Sequence, residues 1–571
     1  MSALASLLMA GCSPEGFDPN GEDNGSNETT TSYLAVNLIS SDATKTRTTG
    51  ISYEDGSADE NKVSKVRFYF FDGLGAASNV KNNNGTYVNY FDWEPEEQGT
   101  SGTGDVEKIL TAKIVINTTA GDGIPQRMAA VINPDGVTGL GAVSQSLTSL
   151  KGIVQDYAAP ELTSEGKFVM FNAVYPDGDT GISTVAIPES KLKKKAEDAI
   201  NDPVIIYVER SVAKVKVSLD PRIGFNNNLL ELKDKDGNPI LVKGADGIQT
   251  NVYLKIDKWA LTANTTNGRL VKKINPGWNG SWWYNNHCSF WAINSTSATN
   301  HWLKYNEINT DLGTSLYTNE NAQKNDIDAT GNAKENTKVI LKGTICTLDG
   351  TGTGTPVTIA RHGGAHFVDT KADGYPNLRT SILNMMAGYS YTYYCDVTVG
   401  GVTQRTQIGI EDIEIKKAEQ VTSENSHNNC YVYAQLTAAA KTKTWYASDA
   451  ADAEPIEPSV IDATLKDKKT GSDKEYIIDR PLLWVDGMTY YYYEIDHIEN
   501  QNDPEMKRLK GVVRNHIYAT NITKIAGLGT PVYNPDDIIY PEKPEANDHY
   551  IAAQINILSW RVVKQDYELE W

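Results

Sequence analysis

Long hydrophobic runs and an excess of positive charge are both missing from this 571-residue sequence. The apolar run Ala3–Ala10 falls well short of the ~20 residues that a membrane-spanning helix needs. Asp and Glu number 73 against 53 Lys and Arg, which gives a formal net charge of −20. A surface of this sign repels nucleic acid and anionic membranes. We therefore expect neither a membrane-spanning helix nor a nucleic-acid partner.

Sequence motifs for catalysis and metal binding are missing too. The sequence contains no HExxH, no GxSxG, no phosphate-binding GxxxxGK and no EF-hand loop. His362 and His366 are four residues apart, but Gly363 and Gly364 argue against the helix that would place both imidazoles on one face. We predict a surface loop there, and a protein that is not an enzyme and holds no cofactor and no metal.

Cysteine is rare, and the spacing of four of the five cysteines argues against a zinc ribbon. Four of the five cysteines are widely spaced and form no CxxC pair: Cys288, Cys346, Cys395 and Cys430. Disulfides and buried free thiols remain alternatives for these four, and the sequence does not choose between them.

The fifth cysteine, Cys12, directly follows the apolar run and the small residues Ala10 and Gly11. This arrangement resembles a bacterial lipobox, although the usual basic residues before the apolar run are missing. We predict that residues 1–11 are a lipoprotein signal peptide and that the thiol of Cys12 carries the lipid. The polar residues 13–31 that follow are a flexible spacer.

An isolated strand is predicted after the spacer. Within Tyr33–Ile39 the side chains of Leu34, Val36 and Leu38 alternate onto one face, which is typical of a β-strand. The loop Ser40–Gly50 follows, rich in small residues and with basic residues exposed in it. Loops of this kind are preferred sites of proteolysis.

Short alternating strands separated by long polar loops dominate the rest of the chain, and no helix-period segment exceeds about three turns. This pattern predicts an all-β fold with two β-sandwich domains of transthyretin-like or Greek-key type, long loop insertions and few short helices. The sequence changes character near Asp220. We therefore divide the chain into an N-terminal domain, 48–220, and a C-terminal domain, 221–571.

The C-terminus carries a further β-rich segment. Apolar residues alternate through Tyr550–Leu558, behind the proline-rich segment Tyr540–Pro544. A terminal strand of this kind can complete its own sheet as an edge strand, or it can complete the sheet of another molecule. The residues alone favour the edge strand.

Aromatic clusters suggest an alternative function. Trp282–Tyr284, Tyr391–Tyr394 and Tyr490–Tyr493 could stack on sugar rings, but alternation in the tyrosine runs favours the burial of one row of rings in a core. A monomeric surface lipoprotein that binds glycans therefore remains the alternative from another class of protein.

Several segments carry a resemblance to a known family: Phe168–Phe171, Val208–Val215, Gly511–Tyr518, Asn521–Ile525 and Gly527–Pro531. Together they resemble the fimbrillins of type V pili of Bacteroidetes-type bacteria, and in particular the major subunit of the short (minor) fimbriae. The likeness touches both halves of the chain, and the segment Asn264–Glu335 matches weakly.

The resemblance implies a maturation pathway. The family is exported as a lipoprotein, here anchored in the outer membrane through Cys12, and an Arg-specific protease cuts between residues that match Arg47 and Thr48. The cut removes the propeptide 12–47, and with it the predicted strand. That strand, with Leu34, Val36 and Leu38, would act as a plug whose loss opens an apolar groove.

The resemblance also implies an assembly mechanism. The tail 548–571 of the next subunit would fill the groove, with contacts from six residues: Ile551, Ile555, Ile557, Trp560, Val562 and Leu569. With the resemblance, a donor strand is favoured over an edge strand. The expected partners are identical subunits in a head-to-tail polymer and the minor, tip and anchor subunits of the same fimbria. The expected function is that of a stalk subunit supporting adhesion and biofilm formation at the cell surface, with a tip or anchor subunit as the alternative.

Overall fold

The computed structural model describes residues 30–40, 56–97, 100–101, 108–118, 123–177, 180–244, 246–273, 300–321, 336–418, 431–466, 480–498, 509–541, 550–559 and 563–564. Most of their regular structure is β-strand, so the predicted all-β fold class is confirmed. None of the helices in these ranges is long and apolar enough to cross a membrane.

The strands of three or more residues in the described ranges are numbered here in chain order: β1 Thr30–Ser40, β2 Val66–Phe71, β3 Tyr90–Trp93, β4 Lys108–Thr118, β5 Arg127–Ile132, β6 Met170–Asn172, β7 Tyr175–Asp177, β8 Thr180–Ile182, β9 Val204–Arg210, β10 Val212–Leu219, β11 Leu241–Lys243, β12 Gln249–Asn251, β13 Tyr253–Thr262, β14 Leu316–Asn319, β15 Lys338–Leu348, β16 Gly354–Pro356, β17 Ile359–His362, β18 Ala365–Val368, β19 Tyr394–Val399, β20 Val402–Gln407, β21 Ile413–Lys417, β22 Val432–Leu436, β23 Leu482–Trp484, β24 Met488–Glu494, β25 Asp496–Ile498, β26 His516–Ala526 and β27 Tyr550–Ser559. The helices are α1 Ala58–Asn61, α2 Leu147–Lys151, α3 Ala196–Ile200, α4 Pro376–Gly388 and α5 Pro458–Leu465.

The first sheet has the strand order β3–β2–β5–β6–β9–β1–β4. Its strands are rich in Val, Ile, Phe and Tyr, which suit a pleated and buried surface. In β2, for example, Val66, Phe68 and Phe70 are fully buried. The core under this sheet takes its side chains almost entirely from residues 34–212.

A second core lies between two further sheets, as in a β-sandwich. One sheet has the order β14–β10–β26–β27, and the other contains β13–β15–β24. The core between them combines Val215 of β10 and Tyr518 of β26 with Leu254 of β13 and Tyr491 of β24. The chain passes at Ser211 from the first sheet to the β14–β10–β26–β27 sheet, which is called the second sheet below, because β9 ends at Arg210 and β10 begins at Val212.

A third core is the main feature that the sequence analysis missed. Between β18 and β23 the chain forms α4, α5 and β19–β22. Their apolar side chains, among them Leu378, Trp445 and Ile461, pack together in one cluster. Each of these segments is short, so its periodicity alone did not reveal a shared core.

Two predictions about individual side chains have different outcomes. The surface loop expected around His362 is wrong: β17 and β18 form a hairpin in which His362 is 1% exposed and its Nδ1 lies 2.8 Å from the hydroxyl of Ser381. The core role of the second tyrosine run is confirmed, because Tyr490, Tyr491 and Tyr493 are buried.

Of the four cysteines whose pairing was left open, Cys346 and Cys395 are buried free thiols, whereas Cys288 and Cys430 lie outside the described residues.

Candidate functional site

The predicted plug strand lies inside the first sheet and not at its edge. β1 runs antiparallel to β4 along its whole length, from the pair Thr30–Thr118 to the pair Ser40–Lys108. On its other side it runs parallel to β9, from Val36–Val204 to Ser40–Val208. The strand therefore separates β9 from β4, and these two strands would face an empty position without it.

The side chains of β1 are among the most buried in the first core. Leu34, Val36 and Leu38 are each at most 1% exposed, as their alternation predicted. Burial of such a side chain contributes ~1.5–3 kcal/mol. These three residues therefore hold β1 in the sheet through the hydrophobic effect as well as through the hydrogen bonds of the sheet.

The opposite face of β1 is also covered, which the sequence analysis did not anticipate. Ala35 is fully buried although it points away from the face of Leu34. Helix α3 contacts β1. In the plane of the sheet, two backbone hydrogen bonds of 2.7 and 2.9 Å join Tyr33 to Lys193, along the part of the β1 edge that β9 does not reach. No local pattern in Tyr33–Ile39 encodes this cover, because the residues that provide it are distant in sequence.

The walls of the position that β1 fills are apolar on the core side. They are formed by buried residues of the two neighbouring strands: Leu110, Ala112, Ile114 and Ile116 of β4, and Val204, Ile206 and Val208 of β9. Without β1 these side chains, and the backbone groups now paired with it, would be exposed. An unpaired apolar edge of this kind readily accepts another strand.

The C-terminal end of this groove contains a small cavity. Its volume is about 10 Å³, and it is lined by Leu38 together with Asn61, Val63, Leu110, Ile132, Met170 and Val208. The space is about large enough for a single water molecule. Asn61 belongs to α1, so the first helix after the predicted cleavage loop lies against the end of the groove.

The predicted maturation residues cannot be placed on this geometry. Cys12 and the pair Arg47 and Thr48 lie outside the described residues. The described chain stops at Ser40 at the end of β1 and resumes at Gly56, just before α1. The lipidation and cleavage assignments therefore stay predictions.

The tail strand lies on the second sheet of its own chain. β27 pairs antiparallel with β26, from His516–Ser559 to Ala526–Tyr550. Among the described residues, only the short strand Val563–Lys564 lies beyond β27 in this sheet, so β27 lies close to the sheet edge. This arrangement is the alternative that the residues alone favoured.

The predicted donor residues divide into two groups. Ile551, Ile555 and Ile557 lie in β27. Trp560, Val562 and Leu569 lie outside the described residues. The role of all six residues as donor contacts stays a prediction.

The C-terminal part of the chain matches a known family. Residues 483–566 match the family described as major fimbrial subunit protein type IV, fimbrillin, C-terminal. The matched segment contains β24, β26 and the tail strand β27. The resemblance to fimbrillins is therefore confirmed, and the matched segment includes the tail strand. No curated protein sequence matches the chain.

Solved structures with some similarity to this chain come from Parabacteroides distasonis and Porphyromonas gingivalis, among other bacteria. A candidate cell adhesion protein from Parabacteroides distasonis is 12% identical over 93% of this chain and 98% of its own, with a TM-score of 0.33. The tip fimbrial protein Mfa3 from Porphyromonas gingivalis, truncated at its C-terminus, is 12% identical over 93% of this chain and 100% of its own, with a TM-score of 0.28. A fimbrial assembly protein from Parabacteroides distasonis is 11% identical over 57% and 84%, with a TM-score of 0.27.

Proposed function

We propose that this chain is a structural subunit of a cell-surface fimbria, most simply a stalk subunit, that polymerises by exchanging β1 for the tail of another copy. The observation that carries the proposal is the central place of β1 between β4 and β9. In this proposal β1 can leave the sheet, because it precedes the loop Ser40–Gly50, in which the cleavage after Arg47 is predicted. The fimbrillin match of residues 483–566 supports the same function.

In this proposal the precursor is exported as a lipoprotein through Cys12 and stays monomeric while β1 fills the groove. Cleavage between Arg47 and Thr48 leaves β1 without a covalent link to the remaining chain. β1 is then held only by its burial and its backbone pairing, so a competing strand can replace it.

The tail has the dimensions of a replacement strand. β27 is a strand of 10 residues and β1 a strand of 11 residues. Both are apolar and alternating, so the tail can present Ile551, Ile555 and Ile557 where β1 now presents its leucines and valine. The tail must leave β26 to do so, and its place at the sheet edge allows this without opening the interior of the sheet.

Assembly of this kind is directional. Each subunit offers one groove and one tail, and the tail enters a different copy from the one that fills its own groove. Head-to-tail contacts that do not close into a ring produce a filament. The chain would therefore act as a structural protein, supporting adhesion and biofilm formation, and not as an enzyme.

The test uses the soluble precursor, 13–571, treated briefly with an Arg-specific protease. Mass spectrometry identifies the new N-terminus, and negative-stain electron microscopy images the product. The proposal predicts a terminus at Thr48 and filaments that appear only after the cut. Arg47→Lys is the matched control, because it keeps the charge but removes the cleavage site; it should give neither the new terminus nor filaments.

A second control removes the tail and separates the two halves of the proposal. Protein lacking residues 550–571 should still be cut at Arg47 but should stay monomeric. Filaments formed without the tail would contradict tail exchange. Clean cutting of the full chain with persistent monomers would reject the stalk function and favour the glycan-binding alternative.

A further inference from the structure

Helix α1 is the first described element after the predicted cleavage loop, and it has only one turn. Its N-cap residue, Ser57, forms a reciprocal capping box with Glu60: the backbone N–H of Glu60 donates to Ser57 Oγ at 3.3 Å, and the backbone N–H of Ser57 donates to Glu60 Oε2 at 2.7 Å. A single helical turn is not stable on its own in water. Contacts with the rest of the protein must therefore hold α1 in place.

The strongest of these contacts joins α1 to the second sheet. Glu60 is 1% exposed, and its Oε1 lies 2.7 Å from Nζ of Lys214 in β10. The hydroxyl of Tyr317 in β14 donates to the same oxygen. Burial raises the pKa of Glu60, but the hydrogen bonds from Lys214, Tyr317 and Ser57 outweigh it, so its pKa lies below the ordinary value. Glu60 is thus a buried carboxylate that ties α1 to two strands of the second sheet.

A second contact joins α1 to the strand that borders the groove. Arg210 is the last residue of β9 and is 1% exposed. Its guanidinium donates to the carbonyl oxygen of Glu60 at 3.4 Å, to the side chain of Asn61, and to Oδ1 of Asn515 at 3.4 Å. Arg210 therefore holds α1 at the point where the chain passes from the first sheet to the second.

The same short segment forms part of the groove. Asn61 and Val63 line the cavity beside Leu38, at the C-terminal end of β1. None of the polar contacts that fix α1, namely those with Lys214, Tyr317 and Arg210, comes from β1 itself. Departure of β1 would leave these contacts intact.

We propose that α1, pinned through Glu60 to Lys214 and Tyr317, is a fixed wall that keeps the end of the groove in shape after β1 leaves and so positions the incoming strand. This inference rests on the proposed exchange of strands and adds a positioning residue to it. In this proposal Glu60 acts through the segment 58–63.

The consequence differs between the two forms of the protein. In the precursor, Leu38 lines the same cavity as Asn61 and Val63, so we expect β1 to support this segment from the groove side and partly to mask the loss of the Glu60 contacts. In the cut protein without β1 that support is missing, and the wall depends on Glu60 and Arg210. A residue with a general role in stability would instead affect both forms alike.

The test compares Glu60→Gln, which removes the charge at nearly constant shape, with Tyr317→Phe, which removes only the hydroxyl. Lys62→Met is the matched control, since Lys62 lies in the same segment but its ion pair with Glu165 is exposed, at 45% and 57% of the two side chains. Each variant is prepared as the uncut precursor and as cut protein from which both β1 and the tail 550–571 have been removed. The two readouts are amide hydrogen exchange of residues 56–71 and binding of a synthetic peptide with the sequence of 548–571.

We expect exchange in 56–71 to rise at least tenfold in cut Glu60→Gln and to change little in its precursor, with peptide binding weakened at least tenfold. Tyr317→Phe should give a smaller change in the same direction, and Lys62→Met no change. Equal increases in the cut and uncut forms, or wild-type binding of the peptide by the cut variants, would overturn the inference. If Glu60→Gln does not fold, the same comparison on Tyr317→Phe decides between these outcomes.

The two readouts also separate this inference from the proposed function. If cut wild-type protein does not bind the tail peptide, the exchange of strands is rejected. The hydrogen-exchange comparison still shows in that case whether Glu60 maintains the wall only when β1 is absent.

Discussion

Truncation of Leu38 to alanine perturbs the plug strand at one well-defined point. Leu38 is 1% exposed, lies opposite Leu110 of β4 and beside Ile206 of β9, and borders the cavity at the end of the groove. Leu→Ala changes at buried sites cost ~2–5 kcal/mol, depending on the void that remains. The new void joins an existing cavity of about 10 Å³, and we expect a cost of about 3 kcal/mol, within this range.

The assay is thermal unfolding of the uncut precursor. A cost of about 3 kcal/mol corresponds to a fall in Tm of about 6–12 °C for a domain of this size. Ile205→Ala is the matched control, because Ile205 lies in the neighbouring strand β9 but is 46% exposed; its effect should be within ~0.5 kcal/mol.

Cleavage adds a second comparison. Filaments made from cut Leu38→Ala protein should be as stable as wild-type filaments, because the altered strand is no longer present in them. Leu38→Ala and Ile205→Ala precursors with equal stability would refute the account of how β1 is held. Filaments destabilised by Leu38→Ala would show that β1 remains in the assembled protein.

Three further predictions concern the rest of the fold. Arg514→Leu should destabilise the protein by ~3–5 kcal/mol in urea unfolding. The carboxylate of Glu320 is 3% exposed and lies 2.6 Å from Nε of Arg514, and the change removes this partner from a buried charge. Lys62→Met, at an exposed ion pair, should have no resolvable effect. Gly487→Ala should destabilise far more than Gly237→Ala, although both glycines have positive φ. A Cβ at Gly487 would clash with the carbonyl oxygen of Ile345, whereas nothing lies within 4 Å of a Cβ at Gly237. Equal losses in Tm would contradict this prediction. Burial, assisted by nearby Arg361, lowers the pKa of His366 from 6.5 to about 4, so between these pH values the unfolded chain binds a proton that the folded protein does not. The stability contributed by neutral His366 should therefore be complete above pH 6.5 and be lost as the pH falls toward 4. His366→Phe should flatten the dependence of stability on pH in this range, and an unchanged slope would contradict the prediction.

The sequence predicted the strand β1 but not its surroundings. Alternation of Leu34, Val36 and Leu38 identified the buried face because that pattern is local. The pairing of β1 with β4 and β9, and its backbone bridge to Lys193, depend on residues far away in the chain, and no short pattern encodes such contacts. The same limit explains why the interactions of Glu60 with Lys214 and Tyr317 were not foreseen.

The tail shows a different limit of sequence reasoning. The alternation in Tyr550–Leu558 predicts a strand, and β27 confirms that strand. An edge strand of its own sheet and a donor strand for another copy need the same alternation, so the pattern cannot choose between them. The third core, around Trp445, was missed for another reason: its strands and helices are short, and only their packing joins them.

A reversible lock on β1 tests the central claim most directly. Asn37 of β1 and Thr111 of β4 lie opposite each other, and the Thr111 hydroxyl donates to Oδ1 of Asn37 at 2.7 Å. Opposed residues of antiparallel strands have Cα atoms about 4.5–5.5 Å apart, which suits a disulfide. The double variant Asn37→Cys, Thr111→Cys can therefore join β1 to the sheet, with Asn37→Cys alone as the control.

The measurement is filament formation after Arg-specific cleavage, with and without reductant. The account predicts that the oxidised double variant is cut but forms no filaments, and that reductant restores filaments to the level of the single variant. Filaments formed equally well by the oxidised, cut double variant would contradict the claim that β1 must leave the groove for the subunits to assemble.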